Sequence, residues 1–293
     1  MTKDDYDLGN IIKSSFEESI EYFNKNDIKI EGLKLRIVKS ICSLYDIFIL
    51  LFVCQGNLGL YFPNKKIFII KKQLEKTVNR ILDDLSHHNI KDSSIIGIKL
   101  SKNSIISYPF YVDMRNIKNN IMKTVTDLIV IDEIGHAILH FIGGNNERGA
   151  SFLEFLVYFY KNELYKYPEV YEIMEENVEI CEEYIKKENP LSPYSLGSRL
   201  APYSFGSCFA NDIIYAYENV LNKDKQSPKL NIKDMIEKLK FFSKDYYVEI
   251  TKKYNETLKD YIDASKTLNV KYGMLSWMTN CLLEKPPNMI NNI

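Results

Sequence analysis

Residues 126–144 hold the densest set of groups able to do chemistry: Asp132, Glu133, His136 and His140, closed by Gly143 and Gly144. Side chains four apart on a helix stack one turn above each other, so Asp132, His136 and His140 form one polar stripe. Glu133 lies one position round from Asp132 and borders His136. Most of the other positions are Ile, Leu and Val, which sets the stripe into an apolar helix. Carboxylates and imidazoles in such surroundings are costly without partners, and one divalent metal ion would satisfy several of them together. Asp132 and His136 would supply an oxygen and a nitrogen ligand. Glu133 would take a proton from water as a general base. A second register pairs His136 with His140 but leaves Ala137 where the base belongs, so it predicts metal binding without base catalysis.

The spacing is that of the zincin helix, His-Glu-x-x-His. Residues 132–140 resemble more closely the His-Glu-Leu-Gly-His-Ala-Leu-Leu-His signature of ImmA/IrrE-type metallopeptidases, matching it at Glu133, Gly135, His136, Ala137, Leu139 and His140. Asp132 stands where that family has its first His, and the Met-Pro that follows its second helix is absent. The resemblance spans about residues 57–160. It implies a third ligand on the next helix, a place that Glu147 fits, with Ala150 three residues later. It implies a strand pair before the helix, which residues 59–70 resemble. It further implies a hydrolase of peptide bonds that holds Zn²⁺, or another divalent metal, through Asp132, His136 and Glu147. The substrate would be a protein or peptide, such as a regulatory protein.

Other residues compete for supporting roles. Glu154 interrupts the apolar run 152–160 and calls for a cation, a metal ligand or the metal itself as partner. The hexapeptide at 193–198 recurs at 202–207 with Leu196 replaced by Phe205. Tyr194, Tyr203 and Arg199 in this repeat are candidates to stabilise the oxyanion of a tetrahedral intermediate. Close helix packing around Gly197, Ala201, Gly206 and Ala210 is the competing explanation. Two other readings remain open. The Asp132 substitution suits a catalytically impaired peptidase that acts as a binding or sensory protein. Glu133 with His136 also has the spacing of half a di-iron site, whose other half falls only to Asp84 and His87.

The elements that must position these residues follow from periodicity. Ile12, Phe16, Ile20 and Phe23 predict a helix over 11–25, and Leu33, Ile37, Ile41, Leu44, Phe48 and Leu51 predict a second over 32–53. Strands are expected at 58–62 and 67–70, a helix at 72–88, and strands at 94–100 and 107–114, giving a small sheet of about four strands. The long helix starts at Asn116 or Asn119 and stops at Gly143 and Gly144. The next begins at Glu147 behind an Asn145 or Asn146 cap, and an acidic one follows to about residue 187. A linker at 222–228 precedes an amphipathic helix over 231–266. The class expected is α+β, predominantly helical: a zincin-like small sheet with an active-site helix, plus a C-terminal helical part. The division is 1–56, 57–222 and 229–284, or one compact domain.

The chain has 293 residues, 45% of them hydrophobic, and a formal net charge of −1. No overall field favours nucleic acid or an anionic membrane. The apolar run 47–53 is shorter than the ~20 residues that span a bilayer. The acidic N-terminus lacks the apolar core of a signal peptide. Five scattered cysteines without a Cys-x-x-Cys pair predict buried free thiols in a reducing cytoplasm.

Overall fold

The computed structural model describes residues 8–38, 58–87, 93–101, 104–142, 147–188, 206–208, 210–211, 214–215, 218 and 231–239. The architecture is α+β and predominantly helical, with two small sheets. The chain runs α1 (Leu8–Lys25), β1 (Lys34–Val38), β2 (Gly59–Phe62), β3 (Lys66–Ile70) and α2 (Lys71–Ser86). It continues β4 (Ser93–Ile98), β5 (Tyr108–Asp113), α3 (Ile117–Phe141), α4 (Glu147–Lys161), α5 (Glu169–Glu188) and α6 (Ile232–Leu239).

Helix α3 is the axis of the molecule. Ile121, Leu128, Val130, Ile131, Ile134 and Leu139 are all buried, because α1, α2, α4 and both sheets pack around it. A helix apolar on nearly every side is a central one. Asn116, one of the two starts expected, is the N-cap position of α3 but makes no side-chain cap; Asp113 caps the short turn before it, accepting a hydrogen bond from the Arg115 N–H. Gly135 faces α4, where an added Cβ would stand 3.4 Å from the Ala150 carbonyl oxygen and 3.5 Å from Leu153 Cβ, in contact without a clash. The two helices meet closely there. Gly143, Gly144, Asn145 and Asn146 lie outside the described residues.

The stretch expected to be a helix over 32–53 is a strand at 34–38. Gly32 has a left-handed backbone, φ +74°, which breaks any helical run before it. Lys34, Leu35, Arg36 and Ile37 then alternate polar and apolar with period two, and β3 offers an edge for them to pair with. β1 runs parallel to β3, from Lys34 opposite Lys66 to Val38 opposite Ile70. The rest of that stretch, 39–53, lies outside the described residues. β2 pairs antiparallel with β3, giving the order β1-β3-β2. The sheet therefore draws on both sides of the boundary expected at residue 56.

A single four-stranded sheet does not form. β4 and β5 make a separate antiparallel pair, with Ser93 opposite Asp113 and Ile98 opposite Tyr108. Tyr108, Phe110 and Val112 point into the core while Tyr111 is exposed, the alternation of a ribbon with one wet face.

A further difference concerns cysteine. Cys181 on α5 and Cys208 form a disulfide, although free thiols were expected. The buried face of α5 brings together residues that the sequence keeps 27 apart, which no local spacing announces. Among the described residues, no helix is long and apolar enough to cross a membrane. Of the amphipathic helix expected over 231–266, residues 232–239 are described as α6.

Candidate metal centre

Asp132 and His136 share one side of α3, and the start of α4 brings Glu147 to them. His136 Nε2 lies 3.2 Å from Glu147 Oε2 and 4.0 Å from Asp132 Oδ2. The other carboxylate oxygen, Asp132 Oδ1, is buried and has no hydrogen-bond partner among the described residues. Such an orphan costs free energy unless something completes it. Glu147 is the open side of the group, with its side chain 41% exposed.

Glu133 points a quarter-turn away, at the edge strand β2, and is 5% exposed. Ile70 N–H donates to the Leu58 carbonyl, so with antiparallel alternation Leu58 and Leu60 face β3 while Gly59 and Tyr61 turn their backbone groups outward. The Tyr61 N–H donates to the Glu133 carboxylate. A Cβ on Gly59 would fall 2.6 Å from Glu133 Oε1 and 2.9 Å from Ile129 Cγ2. Only glycine leaves room for this carboxylate. Sequence reasoning missed Gly59 and Tyr61; the available signal was a glycine at the start of an otherwise bulky strand.

Glu154 lies two turns beyond Glu147 and is 6% exposed. The partner observed is a phenol: Tyr108 Oη–H donates to Glu154 Oε2 at 3.1 Å, and Ser207 Oγ lies 3.2 Å from the same Tyr108 oxygen. Asp132, Glu133 and His136 are close enough to act on its charge. His140 stays apart. It is exposed, with its ring 5.8 Å from that of Tyr61, and makes no described contact with the cluster. Tyr194, Tyr203 and Arg199 lie outside the described residues. Asp84 bonds Arg80 at the surface of α2, away from Glu133 and His136, and so adds no second half to a di-iron site.

Electrostatics show how crowded the cluster is. Burial raises Asp132 to about 6, with the His136 charge opposing and Glu147 adding to the rise. Burial, then Asp132, hold Glu133 well above the usual carboxylate range, and Glu154 likewise. Burial alone would lower His136, but its bond to Glu147 and the charges of Asp132, Glu147 and Glu133 carry it up to about 10. The chain alone balances four acids with one imidazolium and retained protons.

The donor set suits a divalent ion. Ligand atoms bound at about 2.0–2.1 Å around a tetrahedral ion lie roughly 3.3 Å apart, and the His136–Glu147 distance of 3.2 Å matches that edge. Asp132 Oδ2, at 4.0 Å, is slightly wide, and among the described residues no three such side chains already close around an ion. A small turn of the Asp132 carboxylate, which no other group ties down at Oδ1, would close the gap.

Compared with family models, curated proteins and solved structures, the chain matches none.

Proposed function

We propose that this chain is a metal-dependent peptidase whose ion is held by Asp132, His136 and Glu147. The observation that carries the reading is the His136–Glu147 pair set beside an Asp132 oxygen that is buried and unpartnered. A bound Zn²⁺, or another divalent ion, would polarise the scissile carbonyl and acidify water. Glu133, fixed by the Tyr61 N–H and the space above Gly59, takes the proton from the attacking water and returns it to the leaving amine. An oxygen ligand in place of a neutral imidazole adds negative charge at the ion. That weakens its pull on electrons and favours a harder metal than zinc. The sequence of edge strand, site helix and Glu147-bearing helix supports the zincin-like arrangement that the resemblance to ImmA/IrrE-type peptidases implies. The reading carries a cytoplasmic location with it; the Cys181–Cys208 bond is the observation that pulls against this.

The test is Glu133→Gln, assayed for cleavage of an unfolded, fluorophore-labelled protein and for metal content. Cleavage should vanish while the metal stays bound, and full cleavage in the variant would remove Glu133 from its role.

A second reading, a binding or sensory protein on an impaired peptidase fold, is favoured by Asp132 standing in a His position and by the 4.0 Å gap at Asp132. Elemental analysis separates the two: the purified chain would then carry no stoichiometric metal.

A further inference from the structure

Behind the cluster runs a buried hydrogen-bonded chain that the hydrolytic reading does not use. Glu154 accepts from Tyr108, Tyr108 meets Ser207 at 3.2 Å, and Ser207 also donates to the Ser151 carbonyl at 3.5 Å. Tyr108 belongs to β5 and Glu154 to α4, but Ser207 belongs to neither sheet nor site helix. It is held by its neighbour: Cys208 is bonded to Cys181 on α5. Among the described residues, the amides Asn177 and Asn211 fasten this segment to α5 as well, with Asn211 Nδ2 donating to the Met174 carbonyl at 2.9 Å and Asn177 Nδ2 to Asn211 Oδ1 at 3.1 Å.

We propose that the Cys181–Cys208 bond is a redox-governed clamp on the cluster, keeping Ser207 against Tyr108 so that Tyr108 fixes the Glu154 carboxylate beside Asp132. A reducing dithiol supplies the electrons and the protons: its two thiols become a disulfide and release two electrons and two protons, which the Cys181–Cys208 bond takes up as it opens to two thiols. Both cysteines are fully buried, so the exchange follows local opening of 206–211 from α5. A disulfide in a reducing compartment is typically transient or sensory rather than structural. Tyr108 and Ser207 act here as positioning residues. Glu154 stands outside the proposed ligand set of Asp132, His136 and Glu147 and acts on it through its charge; outer partners of this kind commonly set metal affinity by about 10- to 100-fold.

The test uses the full chain, oxidised or reduced with dithiothreitol, and has two arms. The first is metal-free and independent of the peptidase reading. The ¹³C carboxyl signal of Glu154, assigned by its loss in Glu154→Gln, is followed at one pH. Reduction should displace it in the wild type. Ser207→Ala, which keeps the disulfide, should show the displacement already, and reduction should add nothing. An unmoved signal on reducing the wild type, or an equally large further shift on reducing Ser207→Ala, would overturn the clamp. The second arm, which rests on the cation reading, titrates Zn²⁺ by calorimetry. Reduction should weaken binding on the order of 10-fold. Equal affinity in both states would overturn the clamp's control of the site. Absence of Zn²⁺ binding in both states, with the carboxyl shift present, would remove the cation reading and leave the clamp standing.

Discussion

Two carboxylates on α3, five residues apart, one buried and one partly buried, meet opposite fates. Asp127 accepts a hydrogen bond from Ser15 on α1, and Lys161 Nζ of α4 sits 3.1 Å from its Oδ1. Glu18 lies 3.6 Å from both Lys161 and Lys123, so charge at that end is balanced within the chain. Asp132 shares its surroundings with Glu133, Glu147 and Glu154 against one imidazole, and keeps an oxygen without a hydrogen-bond partner among the described residues. The first acid has a lysine of its own; the second shares His136 with its acidic neighbours. Asp127 closes the α1–α3–α4 junction through its ion pair with Lys161, whereas the Asp132 end sets several acids against one imidazolium, the crowding on which the cation reading is proposed.

The largest expected effect tests the completed end. Lys161 is 8% exposed in its side chain and Asp127 is 2% exposed in its own. Lys161→Ala leaves a buried charge unpaired and should cost about 3–5 kcal/mol in urea unfolding. Asp132→Asn in metal-free protein should instead be neutral or stabilising, since it removes one of several crowded negative charges. A large loss there would erase the contrast.

Next comes Gly59→Ala. The new methyl displaces the end of the Glu133 side chain and presses Ile129 Cγ2, so its main cost falls on the base rather than on the strand. Cleavage should drop by about 10²-fold, the low end for misplacing a catalytic group, with the melting temperature changed by a few degrees at most. Retained cleavage would show that Glu133 needs no such space.

The pH dependence of the metal-free protein sharpens the comparison further. Asp132 moves from 3.8 up to about 6 on folding, and His136 from 6.5 up to about 10. Both bind protons more tightly when folded, so stability falls as pH rises. For Asp132 the loss runs from about pH 4 to 6, and for His136 from about 6.5 to 10. Thermal melts in a pH series should show this slope, and saturating Zn²⁺ should flatten or reverse it above neutrality, where its ligands are deprotonated. A metal-free chain that grows more stable across this range would contradict the assigned environments.

The smallest effect is Gly135→Ala. Its Cβ would rest in ordinary contact with Ala150 and Leu153, and alanine gains about 1 kcal/mol of helix propensity. A small stabilisation is expected in the same unfolding assay. A loss would mean that α3 and α4 tolerate no added atom beside the cluster.

Much of this was legible along the chain. The start of α4 at Glu147 and the strand pair beside it follow local signals, a charged first turn and β-branched runs flanking a turn. Helical spacing announced that Asp132 and His136 share a side of α3, and the family resemblance pointed to Glu147, which lies 3.2 Å from His136. β1 was misread because Leu33, Ile37 and Ile41 satisfy a helical period while Lys34 to Ile37 satisfy a strand period. The free edge of β3, remote in sequence, decides between them. Asp127 drew no notice because its partners Ser15 and Lys161 sit on other helices. The Cys181–Cys208 bond and the Tyr108–Ser207 contact are long-range for the same reason, and Glu154 gave only half of its story: a polar group needing company, with no sign of whose.

The absent side chain at Gly59 carries a consequence for selection. If a library randomised codon 59, a screen that rewards only folding would pass several small residues. A screen that rewards proteolysis would return glycine alone. The distance between those two outcomes measures how far the needs of the reaction, rather than those of the strand, keep that position bare.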